Sequence, residues 1–288
     1  MRFLHCSDVH ITQDYASAPF LKLGWRRWMA MFEHTVGGRG RAYKDAARTL
    51  KQIVRDVQRH QADHLLISGD ITAYATDAEF RAVREALGSI ADDRTACSII
   101  PGNHDLFTPN AVKTRRFQTH FGQLLTSDMP EYQREDVFPF VHLKGDEAAV
   151  VGLMSARVMP MPGLAYGTIG PAQLTGLRDL LDDPRMRHRA TLVMVHHGPL
   201  NARGQPDSRI HGLVDADALL RMLPGPRFGV LHGHLHERYH HAATTSRPHT
   251  FCAGSSTQRG REGYWVIEVA DGLIRGGAVH MPDLSPER

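Results

Sequence analysis

The stretch His64-Leu65-Leu66-Ile67-Ser68-Gly69-Asp70 sets a short apolar run directly against a glycine and an acidic residue. Further along, Cys97-Ser98-Ile99-Ile100-Pro101-Gly102-Asn103-His104-Asp105 repeats the arrangement. An apolar run of this length reads as a strand buried on both faces, and the glycine after it as a tight turn at its carboxyl end. The two runs thus deliver Asp70 and Asn103 to the edge of an open α/β sheet at which sites are built. Three more segments follow apolar runs in the same way: Asp8-Val9-His10 after Arg2–Ser7, His196-His197 after the run from Thr191, and Gly233-His234-Leu235-His236 after Phe228–His232.

Between these runs the spacing changes to that of helices. Ala46, Leu50, Ile53, Val54 and Val57 mark one face of a helix over 42–61, and further helices are predicted over 77–89, 109–121, 171–181 and 215–223. Another strand is predicted over 148–155, and 122–139 reads as an irregular connection. Strands alternating with helices at this interval argue for βαβ units and a largely parallel central sheet. Near the end, Tyr264–Val269 and Leu273–His280 flank Asp271-Gly272, a hairpin signal. Without an internal repeat, a low-complexity stretch or an interdomain linker, residues 1–288 read as one domain, interrupted by an insertion at about 13–41.

Composition narrows the class. A chain of 288 residues with 42% hydrophobic and 23% charged content is that of a globular protein. Its net charge of +3 comes without a Lys/Arg run, so no nucleic-acid partner is expected. Cys6, Cys97 and Cys252 are scattered within or beside apolar segments, which predicts buried free thiols in a reducing compartment and excludes a thiolate metal site. No apolar run reaches the roughly 18 residues of a membrane span. The first strand begins at about Arg2 rather than after a signal peptide, so a cytoplasmic location is expected. Of the 19 histidines, His60, His188, His240, His241 and His249 lie among polar neighbours and read as surface imidazoles.

The remaining polar residues at strand ends form a set: Asp8, His10, Asp70, Asn103, His104, His196, His234 and His236. Carboxylate, amide oxygen and imidazole together, without sulfur, suit divalent cations of the Mn, Fe or Zn kind. Asp8 with His10, and His234 with His236, are two apart, so in extended chain each pair faces the same way. Several ionisable groups at buried strand ends are costly unless cations answer them. Asp70, central in the series, can bridge two ions with its two oxygens.

In this order, Asp-x-His, Gly-Asp, Gly-Asn-His-Asp, His and Gly-His-x-His resemble the calcineurin-like metallophosphoesterase superfamily, over about Arg2 to Ser256. The resemblance implies a four-layer α/β/β/α sandwich with two mixed sheets and two metal ions at their carboxyl edge. It implies one ion held by Asp8, His10, Asp70 and His236, and a second by Asp70, Asn103, His196 and His234. The first histidine after the strand is the superfamily's ligand, which favours His196 over its neighbour His197; the reverse assignment stays open. His104 takes the position of the proton donor to the leaving group, and Asp105 either orients it or caps the loop. Two such ions lower the pKa of a bridging water, giving a hydroxide that attacks phosphorus.

The substrate expected is a small phosphorylated molecule. Gly69-Asp70-Ile71-Thr72 lacks the Asp-Arg-Gly that follows in the protein phosphatases of the superfamily, and with His196-His197-Gly198-Pro199 it is most similar to bacterial phosphodiesterases acting on cyclic nucleotides or glycerophosphodiesters. The alternative is a pyrophosphatase acting on a UDP-linked lipid such as UDP-2,3-diacylglucosamine. It rests on Trp25, Trp28, Met29, Met31 and Phe32 beside Lys22, Arg26 and Arg27, an element able to lie peripherally on the inner membrane surface. The competing view of that segment is a helix packed on the body with snorkelling arginines. A phosphomonoesterase and a non-catalytic scaffold complete the alternatives; scaffold members have lost ligands, whereas this chain retains them all. Ser255 and Ser256 follow a strand and are expected to close over the metals.

Overall fold

The computed structural model describes residues 1–13, 39–159, 161 and 164–285. The expected insertion at 13–41 lies almost wholly outside them, and with it the Trp25–Trp28 element.

The five apolar runs form strands: β1 (Arg2–Cys6), β2 (His64–Ile67), β3 (Cys97–Ile99), β6 (Ala190–Met194) and β7 (Phe228–His232). They do not share one sheet. β1, β2 and β3 run parallel in a five-stranded sheet, extended beyond β1 by the antiparallel hairpin of β10 (Tyr264–Ala270) and β11 (Leu273–His280). The hairpin turns on Asp271 and Gly272, both with positive φ, as a two-residue turn between right-twisted strands requires. The second sheet has six strands, with β5 (Ala148–Gly152), β6, β7 and β9 (His249–Ala253) parallel. Antiparallel β4 (Phe140–Lys144) and β8 (Arg238–His241) close its two edges. The two mixed sheets are those the family resemblance implies; the largely parallel central sheet expected from the strand and helix pattern corresponds to the parallel strands within each.

Side-chain alternation explains the layers. Along β5 and β6, Ala148, Val150, Leu192 and Met194 enter a core shared with Phe3 and Leu66 of the first sheet. Their neighbours Ala149, Val151 and Val193 enter a second core with Leu177, Leu180 and Leu219. Those leucines belong to α5 (Pro171–Asp182) and α6 (Ala216–Met222), while α1 (Ala46–Arg59) and α2 (Asp77–Leu87) cover the first sheet through Leu50, Ile53, Phe80 and Val83. Helices, sheet, sheet and helices make the α/β/β/α sandwich.

Local differences have local causes. The helix predicted over 109–121 is two, α3 (Pro109–Lys113) and α4 (Arg116–Phe121), because Arg115 between them adopts a left-handed φ of 50°. The strand β8 carries too few apolar residues to announce itself, and its edge pairing with β9 forms it; β4, at the other edge, pairs with β5 directly after the connection read as irregular. His249, read as a surface residue, is buried: its ring stacks on Phe251 and meets His240 at 3.0 Å. The three cysteines are free and buried. No helix among the described residues is long and apolar enough to cross a membrane.

Candidate metal centre

The carboxyl ends of β1, β2, β3, β6 and β7 all open onto one edge of the sandwich. Each strand passes directly into a loop carrying one or two polar residues, so the five motifs meet. Five of these residues, Asp8, His10, Asp70, His234 and His236, hold φ between 48° and 71° without being glycine. That conformation costs of order 1 kcal/mol or more each and persists where the surroundings impose it, characteristically at functional sites. Close approach adds a second constraint. A Cβ on Gly102 would lie 2.2 Å from Asp70 Oδ1, and one on Gly233 2.1 Å from Asp8 Oδ2, so only glycine lets these loops touch.

Around Asp8 the acceptors crowd together. Asp8 Oδ1 lies 3.2 Å from His236 Nε2 and 3.7 Å from His10 Nε2, and the two ring nitrogens are 3.2 Å apart. Asp8 Oδ1 is fully buried without a hydrogen-bond partner, whereas Oδ2 accepts the His234 backbone N–H at 2.9 Å. Around Asn103, its Oδ1 lies 3.1 Å from His196 Nε2 and 3.2 Å from His234 Nδ1. Asp70 stands between the groups: Oδ2 is 3.8 Å from His10 Nε2 and 3.4 Å from His196 Nε2, and Oδ1 accepts the His104 N–H at 2.7 Å. A buried carboxylate oxygen without a donor, ringed by imidazole nitrogens, is what a divalent cation satisfies. The residues present therefore fit a pair of such ions.

Electrostatics agrees. Burial alone would raise the Asp70 carboxyl, but the imidazoles of His196, His104 and His10 hold it well below its usual range. Asp8 is likewise held low, against its burial, by His10 and His236. Burial would lower His196, yet the Asp70 charge dominates and carries it up to about 9. The acidic pair thus draws positive charge, a proton here or a cation in its place. His234 is pushed down to about 4, by burial first and His196 second, leaving a neutral imidazole with a lone pair to offer.

All seven expected ligands come together at this edge, with His104 beside them. The adjacent histidines turn to different partners. His196 donates Nδ1–H to the Ser68 carbonyl at 2.8 Å and turns Nε2 to Asp70 and Asn103. His197 meets Ser155 Oγ at 2.9 Å through Nδ1 and packs against Gly167. His104 donates Nδ1–H to the Ala73 carbonyl at 2.7 Å, its ring edge-on to His10 at 4.8 Å. With Asp70 and His10 it also forms a cluster able to hold an ion, a use the sequence does not suggest.

Asp105 accepts from Gly102 N, Ile71 N, Thr72 N and Thr72 Oγ1 at 2.8–3.2 Å, tying the two glycine turns together. Ser255 and Ser256 do not close over the site. They stand behind the first loop, where Ser255 donates to the Asp8 carbonyl at 2.9 Å and Ser256 Oγ accepts the Ser7 N–H at 3.1 Å. Tyr43, which in the sequence is only the start of a helix, lies in the turn before α1 with its hydroxyl 3.3 Å from His236 Nδ1. Nothing in its sequence neighbourhood signals that contact.

Comparison with known proteins follows the same lines. The family model for calcineurin-like phosphoesterases matches residues 1–238. The chain is 27% identical over 240 residues, 82% of its own length and 70% of the relative's, to the 3′,5′-cyclic adenosine monophosphate phosphodiesterase CpdA of Escherichia coli K12. Among solved structures it is similar to a dimetal phosphatase from Danio rerio, with a TM-score of 0.64 at 13% identity, covering 98% of this chain and 99% of that one. A purple acid phosphatase from yellow lupin shares the fold at a TM-score of 0.51 and 10% identity, over 96% of this chain and 53% of the other. Strand-end motifs, sandwich fold and family match agree: the chain belongs to the calcineurin-like phosphoesterase family, as a metal-dependent phosphoesterase.

Proposed function

We propose that the chain hydrolyses phosphodiesters of small molecules, with cyclic nucleotides the first class to test. Asp8, His10, Asp70 and His236 would hold one ion, and Asp70, Asn103, His196 and His234 the other. The observation that carries the assignment is the placing of Asp70 Oδ2 between His10 Nε2 and His196 Nε2, at 3.8 and 3.4 Å. The likeness to a cyclic-AMP phosphodiesterase supports the diester class.

When bound, the ions supply Lewis acidity for a nucleophilic water and for the phosphoryl oxygens. The chain's residues do the rest. The His104 backbone N–H holds Asp70 Oδ1 at 2.7 Å and so turns Oδ2 towards the imidazoles. The Ala73 carbonyl engages His104 Nδ1–H, so in the imidazolium form Nε2–H is the proton that would pass to the leaving oxygen, returning the ring to its neutral Nδ1–H form. Asp105 keeps the loops of Asp70 and Asn103 in register.

The test is a panel on Mn-loaded protein: 3′,5′-cyclic nucleotides, glycerophosphodiesters, UDP-sugars and UDP-lipids, and phosphomonoesters. Diester turnover exceeding monoester turnover is expected. Asn103→Ala should lose activity with loss of one ion per chain. His104→Ala should keep both ions and lose about 10²–10⁴-fold in rate on poor leaving groups, the usual range for a positioned acid. Full rate in His104→Ala on such a substrate removes its acid role, and preference for monoesters removes the diester class.

A further inference from the structure

His236 is less confined than the two residues its Nε2 faces. Its side chain is 30% exposed, whereas those of Asp8 and His10 are fully buried. Besides its ring contacts with His10 and Tyr43, hydrogen bonding bears on how its ring is held. Its Nδ1 faces the Tyr43 hydroxyl at 3.3 Å, and that hydroxyl lies 2.9 Å from Ser255 Oγ and 3.4 Å from Gln258 Oε1.

The direction of these bonds can be worked out from their far end. Ser255 gives its one proton to the Asp8 carbonyl at 2.9 Å, so towards Tyr43 its oxygen can only accept. Tyr43 must then spend its own proton on an oxygen, Ser255 Oγ, with Gln258 Oε1 a longer second acceptor. Its oxygen is left to accept, and the donor facing it is His236 Nδ1–H. A neutral imidazole protonated at Nδ1 has its lone pair at Nε2. That is the atom 3.2 Å from both Asp8 Oδ1 and His10 Nε2.

We infer that Tyr43 and Ser255 are positioning residues of the metal centre, forming a one-way donor chain that fixes the tautomer and orientation of His236 and ties it to the loop carrying Asp8. The inference rests on the reading of Asp8, His10 and His236 as ligands. A ligating histidine commonly donates its second ring N–H to such a partner, and loss of the partner typically weakens metal binding 10- to 100-fold. The Tyr43 ring also packs edge-on against His10 at 4.9 Å, so deleting only the hydroxyl separates the relay from packing.

The experiment uses Tyr43→Phe, Ser255→Ala, Ser255→Thr and His236→Gln in the full chain after chelation. Mn²⁺ binding is followed by calorimetry with bound metal counted, and histidine tautomers by long-range ¹H–¹⁵N NMR, the His236 signal being assigned by its loss in His236→Gln. Tyr43→Phe should keep the wild-type thermal midpoint in chelator, lose roughly 10- to 100-fold in affinity for one of two ions, and move His236 towards Nε2–H. Ser255→Ala should shift the same readouts in the same direction, and Ser255→Thr should restore them. If Tyr43→Phe and Ser255→Ala bind both ions as wild type while His236→Gln loses one, the relay is overturned alone. If His236→Gln itself keeps both ions at wild-type affinity, the ligand reading beneath it fails.

Discussion

Asp105 shows what a single residue does at this site without reaching substrate or ion. Its position after His104 leaves two roles open in the sequence, and the geometry selects the loop tie: four donors from Gly102, Ile71 and Thr72 converge on its two oxygens. Burial and the Asp70 charge push its carboxyl up, against the pull of those donors. Four donors and no nearby acceptor favour the carboxylate. Asp105→Asn keeps the shape but sets an amide N–H₂ against donor N–H groups. We expect it to cost about 2–4 kcal/mol, since bonds to a buried charged acceptor contribute roughly 1.5–3 kcal/mol each and their replacement is partial. Urea denaturation in chelator measures this, and an unchanged midpoint would rule out the tie. The same residue scale explains why Asp70 and Asn103 are legible in the sequence: each follows an apolar run and a glycine, a local signal. Tyr43 is not legible there, because its partners His236 and Ser255 are about two hundred residues away along the chain.

At the scale of elements, α2 starts on a side-chain cap that the structure makes explicit. Thr76 caps it, accepting the Glu79 N–H at 3.2 Å, while Glu79 Oε2 accepts the Thr76 N–H at 2.9 Å, a reciprocal capping box. Glu79 Oε2 also lies 3.2 Å from the donating Tyr74 N–H, next to the Ala73 carbonyl that holds His104. Thr76→Ala should therefore lower stability by about 1 kcal/mol, the usual cost of a lost cap, with the count of bound Mn²⁺ unchanged. Loss of an ion in that variant would mean that the cap also governs the site. The elements that the sequence conceals share a physical reason. β8 is written Arg238-Tyr239-His240-His241, half-buried throughout and without apolar alternation, so its strand character comes from pairing with β9. The break at Arg115 is one backbone torsion, too local for periodicity to register.

The whole molecule adds what no element carries: two sheets that must stay in register for the five loops to meet. The strand and helix pattern predicts a largely parallel central sheet, and the second sheet enters only through the family resemblance, because a buried strand reads alike in either. A polar bridge crosses between the sheets. Ser98 Oγ on β3 lies 2.7 Å from His64 Nε2 on β2 and 2.7 Å from His142 Nδ1 on β4. The outer nitrogens of both rings face carbonyls, Thr95 at 2.9 Å and Thr126 at 2.9 Å, so each ring carries its proton there. Ser98 has a single proton, so its hydroxyl donates to one of the two rings and sets its oxygen against the other. Burial, with Lys144 adding to it, pushes His142 down to about 4 and His64 well below its usual value. A histidine whose pKa is lower in the folded than in the unfolded chain binds protons preferentially on unfolding. Its contribution is intact above about 6.5 and is lost as pH falls towards 4. For His142 that loss amounts to about 3 kcal/mol at roughly 1.4 kcal/mol per pKa unit. In chelator, which removes competition between protons and metal, the wild-type urea midpoint should fall steeply from pH 6.5 to 4. His142→Phe should be less stable at pH 7, through the stranded Thr126 carbonyl, yet lose less on acidification, its slope reduced by about one proton. Equal slopes in the two proteins would show that the bridge between the sheets does not sense pH.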